Sequence, residues 1–111
     1  MRIVALSDLH GILPANLPAC DLLLLAGDLC PVDDPRVDFQ AQWLDTTFRA
    51  WLGGVPARKV IGVAGNHDFI FERAPHTVPQ DLPWTYLQDS GATFEGLKTW
   101  GTPWQPWFFN W

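Results

Sequence analysis

The chain has 111 residues and a net charge of −5, from 7 basic and 12 acidic side chains. That length allows one domain, and 48% hydrophobic with 14% aromatic residues is enough to build a core, which argues against intrinsic disorder. Surfaces that neutralise nucleic-acid phosphates gather Lys and Arg, so the acidic balance argues against one here. It leaves open a phosphate ester bound through metal ions, which bring their own positive charge.

Ile3–Leu6 is a continuous apolar run and predicts a strand buried on both faces, as in parallel sheets. Asp21 then precedes Leu22-Leu23-Leu24-Leu25-Ala26. Leucine also suits a helix, but the shortness of the run and the Gly27-Asp28 after it predict a second buried strand. Asp34-Pro35 reads as an N-cap followed by proline at the first helical position. Phe39, Trp43, Leu44, Phe48, Trp51 and Leu52 recur at helical spacing, and Asp38, Gln42, Asp45 and Arg49 fall largely between them. An amphipathic helix follows, with Gly53-Gly54 closing it. Residues 60–64 are β-branched and apolar, a third buried strand. Pro75, Pro79 and Pro83 break up a loop, and residues 93–95 and 97–100 predict a hairpin about Gly96. The order strand, strand, helix, strand describes an α/β chain whose helix is a crossover between parallel strands.

Cys20 and Cys30 are the only cysteines, too few for a disulfide framework and without a CxxC spacing, and they read as small hydrophobes of the interior. The first eight residues hold an apolar run too short for a signal peptide, interrupted by Asp8. The longest apolar run, residues 22–26, falls far below the ~20 residues that span a bilayer. A soluble cytoplasmic protein without membrane partners is the expectation.

Each apolar strand ends in polar residues that can bind a metal: Ser7-Asp8-Leu9-His10-Gly11, Gly27-Asp28, and Gly65-Asn66-His67-Asp68. Ligands of open parallel sheets sit beyond the carboxyl ends of the strands, so the three loops share one crevice. Asp8 and Asp28 supply anionic oxygens, His10 a neutral nitrogen and Asn66 a carbonyl oxygen, a set suited to hard or borderline divalent ions. Asp8 and His10 are two apart, and an extended segment points both the same way. Singly, each motif also reads as a turn or cap, because Asp, Asn and Gly favour both. The ordered set, one loop per buried strand, carries the metal reading.

At these residues the sequence resembles the calcineurin-like metallophosphoesterase superfamily, through the ordered blocks Asp8-Leu9-His10, Gly27-Asp28 and Gly65-Asn66-His67-Asp68. The segment from Ser90 onward, with Gly101-Thr102-Pro103-Trp104, is similar to the branch called metallophosphoesterase-domain-containing proteins. The resemblance implies a four-layer α-β-β-α sandwich, of which this chain would be the amino-terminal portion. It implies a phosphodiesterase or phosphatase that activates water with two metal ions, often manganese, iron or zinc. Asp8 and His10 would hold the first ion, Asp28 would bridge, and Asn66 would hold the second. His67 and Asp68 would be the catalytic residues, His67 as the acid beside the substrate phosphate and Asp68 behind the ligands rather than ligating, and Asp33 or Asp34 would orient the ring.

Relatives continue with a Gly-adjacent His and then a Gly-His-x-His block. The only other histidine here is His76, in Arg-Ala-Pro-His-Thr-Val, which fits neither block and reads as an exposed loop residue. The first ion keeps Asp8, His10 and Asp28, and the second keeps Asp28 and Asn66. Residues 1–111 are therefore expected to form a single incomplete metallophosphoesterase domain that holds at most one ion well and is weakly active or inactive alone. Its substrate would be a small phosphoester, with nucleotides in the class. The alternative is a non-catalytic metal-binding or protein-interaction module derived from that fold. An unrelated nucleotide-binding domain ranks last, since neither GxGxxG nor GxxxxGK[ST] is present.

Four of the seven Trp fall in the last twelve residues. Trp100, Trp104, Trp107, Phe108, Phe109 and Trp111 form a local satellite core, a surface covered by the remainder of the fold, or an aromatic wall facing substrate. The second reading predicts self-association through the tail and marginal stability.

Overall fold

The computed structural model describes residues 1–104. Trp107, Phe108, Phe109 and Trp111 lie outside the described residues.

Four strands, β1 (Ile3–Leu6), β2 (Cys20–Ala26), β3 (Ala57–Val63) and β4 (Thr85–Tyr86), form one parallel sheet in the order β1-β2-β3-β4. The two-residue alternation of strand side chains splits β2 between two cores. Leu23 and Leu25 face the helices, while Leu22 and Leu24 face the opposite side. The continuous leucine run is thus a strand covered on both faces. β1 differs from expectation: Val4 and Leu6 pack toward the helices, but Ile3 is 45% exposed. It is an edge strand, and among the described residues nothing covers its second face.

β2 connects to β3 through one helical rod made of α1 (Val37–Trp43), a π-helical turn (Leu44–Phe48) and α2 (Arg49–Gly54). Buried Leu44, Phe48 and Leu52 follow at steps of four, the spacing a widened turn brings onto one face. Phe48 stacks on Trp43 at 5.5 Å and meets Trp84 edge-on at 5.1 Å. Arg49 pins the rod's outer face by bonding Asp45 at 2.6 Å and Asp81 at 2.8 Å.

Both ends of the rod depart from the sequence reading. It begins at Val37, with Arg36 at the N-cap and no side-chain cap. Asp34 is engaged elsewhere: its Oδ1 accepts the Arg36 backbone N–H at 3.1 Å, and its Oδ2 pairs with the guanidinium at 2.7 Å. At the far end neither Gly53 nor Gly54 has positive φ. The chain leaves the helix through extended Val55, and Pro56 prevents continuation.

After β3 come α3 (Ile70–Arg73), a 3₁₀ turn (Pro75–Thr77) and β4, none of which the proline-rich segment announces. β5 (Ser90–Phe94) and β6 (Leu97–Gly101) form the expected antiparallel hairpin about Glu95-Gly96. Its Ala92 and Phe94 lie on the Leu22, Ile61 and Leu87 core. Helices, parallel sheet and hairpin make three layers among the described residues, consistent with the amino-terminal part of a calcineurin-like fold. His76 is exposed, Cys30 is buried and Cys20 half-buried, and both thiols are free. No helix among the described residues is long and apolar enough to cross a membrane.

Candidate metal centre

The loops after β1, β2 and β3 meet at one end of the sheet. Asp8 N–H donates to the Gly27 carbonyl at 3.1 Å, His10 N–H to that of Asp28 at 2.9 Å, and Gly11 N–H to that of Leu29 at 2.8 Å. The first loop is thereby zipped along the second. Its residues are not extended: Asp8 has φ 56° and His10 φ 49°, so left-handed turns bring the pair together, and Asp28 on the facing loop has φ 53°. That region costs a residue with a Cβ energy and is most tolerable for Asp and Asn.

The glycines set the spacing between the second and third loops. A Cβ on Gly27 would come within 2.8 Å of the Gly65 Cα, and one on Gly65 would collide with the carboxylate and amide of Asp28. The Gly-Asp and Gly-Asn motifs are two halves of one close approach.

Asp28 occupies the centre and is 8% exposed. Its Oδ1 accepts the backbone N–H of His67 at 2.9 Å, and its Oδ2 lies 3.3 Å from His67 Nδ1. The Asn66 amide sits 3.0 and 3.1 Å from the two Asp28 oxygens. With its nitrogen inward it donates to them. With its oxygen inward, acceptors confront each other, an arrangement that a cation between them relieves. Ligand atoms of His10, Asp28 and His67 all lie within 4.8 Å of one another, and the two imidazoles meet edge-on at 5.4 Å. Among the described residues, His10 Nδ1 is the one buried side-chain polar atom without a hydrogen-bond partner. A central carboxylate, an amide and two imidazoles, one of them with an orphaned ring nitrogen, fit a divalent cation.

Asp8 stands at the rim, and Nε2 of His10 lies 3.9 Å from its Oδ1. The Ser7 hydroxyl donates to Asp8 Oδ2 at 2.7 Å. That bond, more than the contributions of Asp28, His10 and His67, holds the Asp8 carboxyl below its ordinary range. Asp68 does not line the cleft. It is fully buried and accepts backbone N–H groups from Leu29 at 2.9 Å, Cys30 at 2.9 Å and Gly65 at 2.8 Å. Burial pushes its pKa up, while the three donors pull the other way. Asp34 is tied to Arg36, and neither it nor Asp33 lines the cleft, so the carboxylate at the His67 ring is Asp28.

The cleft encloses about 500 Å³, and Thr102, Pro103 and Trp104 make its opposite wall. Trp104 Nε1 donates to Asp89 Oδ2 and Thr102 Oγ1 to Asp89 Oδ1, both at 2.7 Å. The indole is half exposed. Sequence reasoning missed Gln40, which is fully buried and bonded to the third loop. Its signal was a polar side chain three residues after Val37 and four before Leu44, on the apolar stripe.

The family model of the calcineurin-like phosphoesterases matches residues 1–107. The chain belongs to this family. Among calcineurin-like relatives, the human "Metallophosphoesterase domain-containing protein 1" is 30% identical over 135 residues, covering 99% of this chain and 39% of the relative, and the Mus musculus protein of that name gives the same figures. "Probable rhamnogalacturonate lyase C" of Emericella nidulans is 31% identical over 119 residues, 96% of this chain but 11% of that protein. The chain thus spans about two fifths of the human and mouse relatives. Calcineurin-like membership supports a phosphoesterase fold with divalent-metal binding, and the cluster around Asp28 is the candidate ligand group.

Proposed function

We propose that this chain carries the amino-terminal metal-binding half of a metal-dependent phosphoester hydrolase. The carrying observation is the convergence of His10, Asp28 and His67 ligand atoms within 4.8 Å at the end of a parallel sheet. Asp8, His10 and Asp28 would hold one divalent ion, manganese, iron or zinc, and Asp28 would share a second with Asn66. When bound, such ions neutralise phosphate oxygens and lower the pKa of water.

The remaining work falls to the protein's side chains. Asp28 accepts from His67 N–H and faces Nδ1, so it orients the imidazole and favours a proton on that nitrogen. The doubly protonated ring would then deliver its Nε2 proton to the leaving oxygen and keep the one on Nδ1 facing Asp28. Asp68 acts as a positioning residue, joining the second and third loops through their amides. Trp104 offers a flat apolar wall to the organic group of a small phosphoester, nucleotides included. Free Cys20 and Cys30 suit a reducing compartment, and the cytoplasm is the setting proposed.

The test is hydrolysis of bis-p-nitrophenyl phosphate with Mn²⁺, comparing these 111 residues with a chain extended through the later His blocks. The extended chain turns over, and Asp28→Asn abolishes that turnover. An inert extended chain, or an indifferent Asp28→Asn, ends the enzyme reading. The His10, Asp28 and His67 group would hold one ion by itself, which supports a second reading, a metal-binding module without catalysis. Metal binding by calorimetry with no turnover in either chain selects it.

A further inference from the structure

Three polar or charged side chains are buried among the described residues: Asp28, Asp68 and Gln40. The first two come from the loops that build the metal centre. Gln40 comes from α1, in the helical layer, and has no exposed surface. Burying a primary amide is costly unless both its ends are bonded, so the destination of those bonds is informative. Nε2 donates to the carbonyl of His67 at 2.8 Å, and Oε1 accepts the backbone N–H of Ile70 at 3.0 Å. Both ends therefore land on the segment that carries Asn66 and His67.

Asp68 grips that same segment, binding it to the second loop through Leu29 and Cys30. The third loop is held between a carboxylate shared with its neighbouring loop and an amide from the helix. An apolar residue of similar volume would satisfy packing in α1 but leave His67 O and Ile70 N unpaired. Packing alone does not account for glutamine here.

We infer that Gln40 is a positioning residue of the metal centre, setting His67 and Asn66 relative to Asp28 through the backbone of residues 67–70. It touches neither ion nor substrate. The inference rests on the metal reading proposed above, and partners that orient ligands typically affect metal affinity by ~10–100-fold.

The test compares the wild-type chain, Gln40→Met and Leu52→Ala. Methionine keeps volume and burial while removing both bonds. Leu52 is buried in the same rod and has no bond to the third loop, so its truncation lowers stability alone. Two readouts are taken: Zn²⁺ affinity by calorimetry, and the NMR signals of the His67 ring and the Asn66 side-chain amide. Gln40→Met weakens Zn²⁺ by about tenfold or more and shifts both sets of signals. Leu52→Ala melts lower, yet binds within about twofold of wild type and leaves the signals in place. If Gln40→Met does not fold, Gln40→Glu replaces it, since it keeps the acceptor for Ile70 and loses the donor to His67. Unmoved His67 and Asn66 signals, or an equal loss of affinity in Leu52→Ala, overturn the inference. A wild-type chain that binds no Zn²⁺ removes the metal reading instead, and the NMR signals then decide the role of Gln40 by themselves.

Discussion

His10 and His67 differ in how their rings are held, and the difference separates their roles. His67 has Asp28 at its Nδ1, while His10 keeps a buried Nδ1 with no partner. His10→Ala is expected to lower Zn²⁺ or Mn²⁺ affinity by about 10-fold or more, whereas His67→Ala, which keeps the backbone N–H that Asp28 accepts and the backbone held by Gln40, leaves affinity within roughly threefold and removes turnover in the extended chain. Calorimetry beside a phosphodiesterase assay reads both, and equal loss of metal from the two variants would make His67 a ligand rather than the acid. At this scale much was legible. Asp8, His10, Asp28, Asn66 and His67 all line the cleft, because each follows an apolar run that ends at the same side of a parallel sheet. The place of Asp68 was not legible. Asp in a turn is ambiguous in sequence, and only the approach of Leu29 and Cys30, nearly forty residues away, shows that its oxygens face amides.

Among elements, β2, β3, the helical rod and the hairpin were readable because each carries a period or a long apolar run. α3 and β4 were not: four and two residues are too short to show one. The start of the rod misled for a local reason, since an Asp before Pro is a good cap unless a nearby Arg claims it, as Arg36 claims Asp34. Connections between elements carry their own prediction. Asp68→Ala leaves the buried N–H groups of Leu29 and Cys30 and the half-buried one of Gly65 without acceptors, and each unsatisfied group costs about 1–3 kcal/mol. A loss of at least ~3 kcal/mol is expected in urea denaturation, with the far-UV spectrum of surviving native protein unchanged. A loss below about 1 kcal/mol would show that the loops hold together without it. Cys30 belongs to the same junction. Burial, with the Asp68 charge adding, pushes its thiol far up, so alkylation in the native state should reach Cys20 first.

At the scale of the molecule, the described residues cover the central strands well and the margins poorly. The hairpin covers β2 and β3 but not Ile3 of β1, and Ile12, Val32 and Trp100 are also exposed. Open edges and uncovered apolar faces favour pairing with another chain. Sedimentation across roughly a hundredfold range of concentration should therefore show association that Ile3→Lys reduces, and a single monomeric species throughout would contradict it. Acid sensitivity is also a property of the whole surface. Asp21 is held below the ordinary carboxylate range by the Arg2 amide and Arg58, Asp34 by Arg36, and Asp81 by Arg49. The unfolded chain then binds more protons than the folded one. This stability is present above the ordinary carboxylate pKa and is lost as pH falls through the lowered values. All three pairs are exposed, so the loss should be small and should shrink as salt is added, which thermal melts between pH 5 and 2.5 at two ionic strengths would read.

Asp8, His10 and Asp28 all sit in the left-handed region, where a side chain is a burden. For a residue with a Cβ the cost is ~1–2 kcal/mol, against about 0.5–1 kcal/mol lost when glycine loosens the unfolded chain. His10→Gly should therefore raise the melting temperature by a few degrees while erasing a proposed metal ligand; the gain should be smaller at Asp8, since Asp tolerates the region better, and Asp28→Gly should melt lower, because the His67 N–H loses its acceptor. A thermometer can locate His10 without any substrate, as a place where discarding chemistry makes the protein harder to melt. A search that ranks substitutions by stability alone would favour losing it.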